Sequence, residues 1–350
     1  MLDIANGING QSNMVDQGGW LDEVLWIVNT DDAGDLQYLQ TILSSNPNRY
    51  KAINFTANNL QTYSYYKAWQ HIERGKYYVK IDDDIVWIED EAIPQLVTRK
   101  ITHPDEFVVS ANVINNPPLG FLHYHFGALH PYFPEVEHPR HKTESWRPSM
   151  QPFWVGPEDF TWPLDRDPPH PSHRWLRVED DSALPQTPAG QLKYEIWGES
   201  YNSWAIAAQM HYSLLENIER GALDLYKFRQ PWYMDGRRIR INFICIYADD
   251  ILDTDISSWP PDRGDEDMIV IDLPKRLRRR EYIFLRWNAS TDSTYVPAVT
   301  VIGNALGSHF QYSGQPGLEK TDILGRYQAL AKDRRPYLTQ SSHTSDHRPR

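Results

Sequence analysis

The chain has 350 residues, 40% hydrophobic and 23% charged, which is ordinary for a globular protein and enough to bury one large core. A formal net charge of −12 argues against a nucleic-acid partner held by phosphate neutralisation. A single cysteine, Cys245, excludes an internal disulfide framework and any cysteine-based zinc site.

The polar stretch from Met1 to Gly19 has neither the basic nor the apolar region of a signal peptide and is expected to be irregular. No run of about 18 apolar residues encodes a transmembrane helix, so the expected setting is cytoplasmic. From Glu23 the pattern alternates strand and helix. Val24–Val28 reads as a strand, Asn29–Asp32 as a polar turn with N-cap chemistry, and Leu36, Leu39, Ile42 and Leu43 as one helix face. Tyr50–Phe55 is a second strand. Tyr65, Ala68, Trp69 and Ile72 mark a second helix, with Gly75 as its C-cap. Tyr77–Ile81 is a third strand, which delivers Asp82, Asp83 and Asp84 to its end. A short helix through Ala92, Ile93, Leu96 and Val97 and a strand over Phe107–Val113 follow. Strands spaced by helices predict right-handed βαβ crossovers, an α/β fold and a mainly parallel sheet. Ligands of such sheets bind at the carboxyl ends of the strands, where Asn29–Asp32 and Asp82–Asp84 both fall.

From about Pro131 to Ala189 the chain is dense in Pro, His, Trp and charge and reads as long ordered loops or a lid. Helical periodicity returns near Tyr194 and runs to Arg220, stopped by Gly221. Arg240–Tyr247, Met268–Leu273 and Val296–Ile302 are strand-like, Leu324–Ala331 is a final helix, and the tail from Asp333 is expected to be disordered. The organisation expected is one domain, with a ligand-binding half over 20–130 and the remainder over 131–332, between an irregular 1–19 and a tail at 333–350.

Three adjacent carboxylates repel one another, and a fold tolerates them best when a cation neutralises them. Oxygen-rich sites of this kind suit Mg²⁺ or Mn²⁺ with positions left for phosphate oxygens. The plain alternative is a solvated acidic turn. Aromatic residues are 13% of the chain, which supplies stacking surfaces for sugars or bases as well as core.

The order strand, acidic turn, helix, strand, helix, Gly, strand, Asp-x-Asp, from about Gly18 to Leu129, resembles the nucleotide-sugar half of GT-A fold glycosyltransferases, especially the family 2-like group. Gly75 stands seven residues before Asp82, matching the last glycine of that family's helix motif; the family's Arg, Asn and earlier Gly are replaced by Tyr66, Lys67 and Trp69. The downstream half also looks like that of fungal proteins of this type, which share a Lys-Ile-Asp-Asp-Asp segment such as Lys80–Asp84. The resemblance implies a Rossmann-like GT-A fold and a nucleotide-diphospho-sugar donor. Mn²⁺ or Mg²⁺ would be held by Asp82 and Asp84, with Asp83 in the same donor site. Asp31 or Asp32 would contact the nucleoside and Lys67 the diphosphate; N-capping is the plain alternative for the two acids. GT-A enzymes often supply a further metal ligand from a C-terminal histidine, for which His309, after a strand and a Gly-rich turn, is the candidate. Inverting members place a Glu-Asp pair where Glu158 and Asp159 stand, as the base for an unidentified acceptor. Family 2-like domains also begin with a further strand and helix, for which Met1–Gly19 has no pattern. That motivates the alternative of a degenerate GT-A domain binding a nucleotide or partner without turnover.

Other constellations compete. His123, His125 and His130 follow the Phe107–Val113 strand, and two histidines two apart on a strand would share a face for a metal. Asp82-Asp83-Asp84-Ile85-Val86 also fits the D-x-D-x-[TV] of haloacid dehalogenase-like phosphatases, with Asp249 and Asp250 as their distal acids. Tyr247–Asp250 is an isolated match to a polymerase hairpin. The basic run Lys275–Arg280 could meet an anion or form a solvated linker.

Overall fold

A computed structural model describes residues 14–15, 18–56, 64–139, 145–234, 236–276 and 299–334. The first unit follows the predicted alternation. Strand β1 (Val24–Val28) leads through helix α1 (Ala33–Ser45) to β2 (Tyr50–Asn54), and the two strands pair in parallel from Val24 opposite Tyr50 to Val28 opposite Asn54. Leu39 and Ile42 are the buried positions of α1, as the 3.6-residue period demands.

The main sheet contains β3 (Tyr77–Ile81), β4 (Ile85–Ile88), β5 (Val108–Ile114), β8 (Trp232–Tyr233), β9 (Phe243–Tyr247) and β10 (Val299–His309). Their order is β3-β9-β5-β10-β4, with β8 also on β10. Helices and strands do make an α/β fold, but the expectation of a mainly parallel sheet is corrected. Only β5 and β10 pair in parallel within this sheet; β9 is antiparallel to both β3 and β5, and β4 and β8 are antiparallel to β10. The physical reason lies in β9, where Phe243, Ile244, Cys245 and Ile246 are all fully buried. A run apolar on both faces belongs in the middle of a sheet. It takes the slot between β3 and β5 that consecutive pairing would have closed. Since β9 opposes both, β3, β5 and β10 run the same way, and their carboxyl ends share one edge with the start of β9.

Helix α2 (Ala92–Thr102) packs Ala92, Ile93 and Leu96 against this sheet. Helix α3 (Leu119–His125) follows β5. The stretch expected to be loops or a lid carries the antiparallel ribbon β6 (Tyr132–Pro134) and β7 (Trp175–Arg177), joined by turns. Three of its four tryptophans are core: Trp146, Trp162 and Trp175 pack with Trp87 and Trp204, and Trp154 is half-buried against them. After the short α4 (Glu199–Asn202), helix α5 (Trp204–Arg220) is buried along most of its length. It starts at Ser203, whose side chain accepts from the Ile206 amide at 3.3 Å, rather than near Tyr194. It ends as predicted at Gly221, whose φ of 66° is the left-handed cap conformation that glycine takes without strain.

Three further expectations change. Tyr65–His71 is a 3-10 helix, and Gly75, at φ +78°, sits in the turn before β3 instead of capping it. Met268–Asp272 is not a strand but a π turn continuing the short α7 (Asp265–Asp267). Met268, Ile269 and Val270 are buried in succession, without the alternation of a half-buried strand. Strand β10 carries on through Gly307 to His309, so no turn precedes that histidine; residues 296–298, at the start of the expected strand, lie outside the described residues. The last helix, α8 (Ile323–Asp333), matches the sequence period. Residues 335–350 lie outside the described set, as does most of 1–19.

Candidate functional site

The carboxyl edge of the main sheet gathers side chains from four strands. β3 ends in the acidic turn, β5 in Asn115-Asn116, β10 in His309, and Asn242 immediately precedes β9. The turn is fixed by its backbone: the Asp82 amide donates to the Asn242 carbonyl at 2.8 Å, Ile85 N–H to the Asp82 carbonyl at 3.2 Å, and Phe310 N–H to the Asp84 carbonyl at 2.8 Å. The register of β10 against β4 shifts between Ser308 and His309, an irregularity that re-aims a side chain at a strand end. His309 Nε2 lies 2.9 Å from Asp84 Oδ2.

Each outer acid has its own partner. Lys80 Nζ donates to Asp82 Oδ1 and, at 2.9 Å, to the Ile241 carbonyl. The other Asp82 oxygen accepts from Asn242 Nδ2 at 2.8 Å, and Asn242 Oδ1 accepts from Asn116 Nδ2 at 3.3 Å. Burial opposes the charge on Lys80, but Asp82, Asp265 and Glu266 outweigh it and hold its pKa above the ordinary lysine value. Asp83 is the most exposed of the three acids, although protein still surrounds its carboxyl. Loss of solvent around its carboxyl, followed by the charges of Asp84 and Asp82, raises its pKa. One ammonium therefore does not neutralise the whole turn.

A second layer supports His309. Its carbonyl accepts from Asn115 Nδ2 at 2.8 Å, and Asn115 exchanges two hydrogen bonds with Gln315 at 2.9 and 3.0 Å. Asn115 has a φ of 62°, which asparagine adopts more readily than most residues. Beside it, His211 Nδ1, Tyr327 OH and Ser308 Oγ form a closed triangle with edges of 2.9, 3.1 and 3.3 Å. Burial, and then the proximity of His309, pulls the His211 pKa down to about 3, so this imidazole is neutral.

Tyr65 and Asp35 of the first unit are close enough to act on Tyr312 at this edge. The pKa of Tyr312, three residues past His309, is raised by Asp83 first, then by partial burial, Asp84, Tyr65 and Asp35. Tyr65 OH accepts from Asn29 Nδ2 at 3.4 Å. Of the predicted donor residues, Asp32 is the N-cap of α1, accepting from the Asp35 amide at 2.9 Å; Asp31 is exposed beside it. Lys67 is exposed on the 3-10 helix and makes no ion pair among the described residues. Trp69, at the family's glycine position, instead donates from Nε1 to Asp265 at 3.0 Å.

Asp82, Asp83, Asp84 and His309 are brought together; Glu158 and Asp159 are not joined to them by any hydrogen bond or ion pair. Those two form an exposed turn beside Phe160, which stacks with Phe133 of β6 and with Trp154 at 4.9 and 4.8 Å. The histidine triplet also falls away from the edge. His123 and His125 lie on α3, a helix and not a strand, so two residues apart they do not share a face. His123 is buried and bonded to Asn112 at 2.7 Å, and His130 Nε2 lies 2.9 Å from Asn217 Oδ1. Asp249 and Asp250 sit at the other end of the β3–β9 ladder from Asp82, where Asp249 accepts from the Gly75 amide and Asp250 pairs with Lys100 at 2.8 Å. The distal acids of the phosphatase reading are thus structural here. Leu277 to Arg280 of the basic run lie outside the described residues.

Among the described residues, no three His, Cys, Asp or Glu side chains converge as a ready ligand set for a metal. Two atoms bear on whether a cation fits: Asp84 Oδ1 and His309 Nδ1 are both buried without a hydrogen-bond partner. A carboxylate oxygen left unsatisfied beside a partly neutralised acidic turn suits a hard divalent ion. Sequence reasoning missed the roles of Lys80, Asn115, Asn116 and Asn242. For the three asparagines the signal was positional only: amides at the end of one strand and just before another, in a fold whose strand order the sequence does not print. No protein family, curated protein or solved structure matches this chain. No helix among the described residues is long and apolar enough to cross a membrane.

Proposed function

We propose that the chain is a GT-A-like glycosyltransferase moving a sugar from a nucleotide-diphosphate donor to a hydroxyl acceptor. The observation that carries this reading is the meeting of the acidic turn of β3 with His309 of β10 at the carboxyl edge of the sheet, 2.9 Å from Asp84. Asp84 and Asp82, with His309, would hold Mg²⁺ or Mn²⁺, which when bound supplies neutralisation of the charge that develops on the departing diphosphate. In the transfer, the acceptor oxygen forms a bond to the anomeric carbon, the bond from that carbon to the phosphate oxygen breaks, and the diphosphate leaves with the electron pair. The acceptor proton goes to a base. The resemblance assigns that role to Asp159, with Glu158 as substitute. Asp159→Asn tests it, since transfer should fall while donor binding stays.

One observation favours a second reading, that of a degenerate domain that binds a nucleotide without turnover. Both Asp82 oxygens are already engaged, by Lys80 and Asn242, so an internal ammonium stands where a metal would approach. Thermal unfolding with Mn²⁺, with and without UDP or GDP, on the wild type and on Asp82→Ala/Asp84→Ala decides the donor site. A diphosphate-dependent rise that needs Mn²⁺ and vanishes in the double variant supports it; no shift with either nucleotide sinks it. Donor binding without hydrolysis or transfer selects the degenerate reading.

A further inference from the structure

Beside β7 the chain turns one aromatic ring inward and its apolar neighbours outward. Trp154 is tied to the end of β7 by its amide, which donates to the Arg177 carbonyl at 2.8 Å, and its ring packs on Phe133 and Phe160 at 4.9 and 4.8 Å. The residues on either side of it, Phe153 and Val155, are 52% and 93% exposed, and Met150 just before them is 58% exposed. Their backbone is fixed. Met150 N–H donates to the Arg147 carbonyl at 3.2 Å, Gln151 N–H to the Pro148 carbonyl at 2.9 Å, and Ser149 N–H to Glu219 Oε2 at 3.1 Å. Three outward apolar side chains within six residues of a pinned loop make a surface patch, not scattered exposure.

The end of α8 is anchored next to this patch. Asp333 Oδ2 accepts from Trp146 Nε1 at 3.0 Å and from Arg147 Nη2 at 2.7 Å. Arg147 leads directly into the 3-10 turn Pro148–Met150, which advances only about 2 Å per residue. On the other side of that anchor the sequence continues Arg335-Pro336-Tyr337-Leu338, and Tyr337 and Leu338 are the only large apolar residues in 335–350. Tyr337 follows Asp333 by four residues, a span of at most about 14 Å, which brings Met150 within range.

We propose that Tyr337 and Leu338 dock on Met150, Phe153 and Val155, so that the segment after α8 straps this loop to the end of the helix. Pro336 cannot extend α8, so the chain has to leave the helix axis before Tyr337. Charge agrees with the assignment. Residues 335–350 hold Arg335, Arg348 and Arg350 against Asp346 alone, and the loop beyond Val155 presents Glu158 and Asp159, both exposed. Two other occupants fit less well. The patch exposes on the order of 300 Å², short of the roughly 800 Å² that each partner brings to a stable interface, so it does not hold a second copy by itself. The same two acids repel an anionic membrane surface. This docking is independent of the glycosyltransferase reading.

The test is limited digestion of the full chain with chymotrypsin, following cleavage after Tyr337 and Leu338 by mass. Phe153→Ser/Val155→Ser removes two exposed side chains and leaves the core alone, so the variant should fold as the wild type does. It should be cut at these two bonds about fivefold faster or more, because proteolysis follows the population of the open form. Equal rates in variant and wild type overturn the proposal. A second measurement places a photoreactive benzoylphenylalanine at Tyr337 in the full chain. Irradiation should cross-link it, within one chain, to the peptide spanning residues 147–155. A cross-link that joins two chains, one that maps elsewhere, or none at all overturns the proposal.

Discussion

Replacing Lys80 by Met asks whether an internal ammonium is the resident counter-charge of the acidic turn. The substitution keeps an unbranched apolar stem and removes the ammonium. Asp82 would be left with Asn242 alone, beside Asp83 and Asp84. Breaking a fully buried ion pair costs about 3–5 kcal/mol, and an exposed one about 0.2–1 kcal/mol. Lys80 and Asp82 retain 26% and 28% of their side-chain surface, which places the expected loss between these limits, at about 2–3 kcal/mol. At about 2 °C per kcal/mol for a large domain, the melting temperature should fall by about 4–6 °C. The assay is thermal unfolding of wild type and Lys80→Met with and without Mn²⁺. The ion should raise the variant more than the wild type, since Asp82 is free to receive it; at a hundredfold excess over its Kd the gain is about 2.7 kcal/mol, enough to recover most of the loss. A variant that melts within about 1 °C of the wild type would refute the reasoning, as a shift that small lies inside the range of an exposed pair. So would an equal response of both proteins to Mn²⁺.

Three other outcomes follow from buried or capped groups. Burial lowers the pKa of His123 and His211 to about 3 and of His173 to about 4, from an ordinary 6.5. The unfolded chain then binds more protons than the folded one below pH 6.5, so this stability is fully present above that value and lost as pH falls towards the folded values, at about 1.4 kcal/mol per pH unit for each histidine. The melting temperature should drop steeply on acidification below pH 6.5, and His123→Asn should flatten the slope by one proton; a profile unchanged by the substitution would count against it. Asp32→Ala removes the α1 cap and should cost about 0.5–2 kcal/mol in denaturant unfolding. If Asp32 serves only the helix, the Mn²⁺–nucleotide shift survives. Gly221→Ala forces a Cβ into the left-handed region and should cost about 1–2 kcal/mol in the same assay.

The first βαβ unit, the strand ending in the acids, α2 and the glycine stop of α5 were legible because each depends on local period and capping. Leu39 and Ile42 face inward, and Gly221 takes a positive φ, for reasons written within a few residues of each. The antiparallel sheet was not legible. Phe243–Ile246 reads as a buried strand, but nothing local says that it lies between β3 and β5. The same limit hid the site's amides. Asn242 acts on Asp82 only because β9 begins where β3 ends, and Asn116 only because β5 is the next strand over. Met268–Asp272 misled in the opposite direction: β-branched residues suggested a strand, while continuous burial and an acidic helical start made a π turn.

The placement of β9 has a consequence for how the chain must be made. Among the described residues β9 is the sole ladder partner of β3, and it is synthesised after all of β3, β4, β5 and α5. While the ribosome is short of Phe243, the strand bearing the acids has an open edge on the side that β9 will fill, and so does β5. Unfilled edges of apolar strands are templates for pairing with other chains, and contacts of such long sequence separation form slowly. Fragments that stop before Phe243 should therefore aggregate rather than yield a smaller working unit. His309 arrives later still, so the acidic turn receives its histidine only as the last strand is laid down.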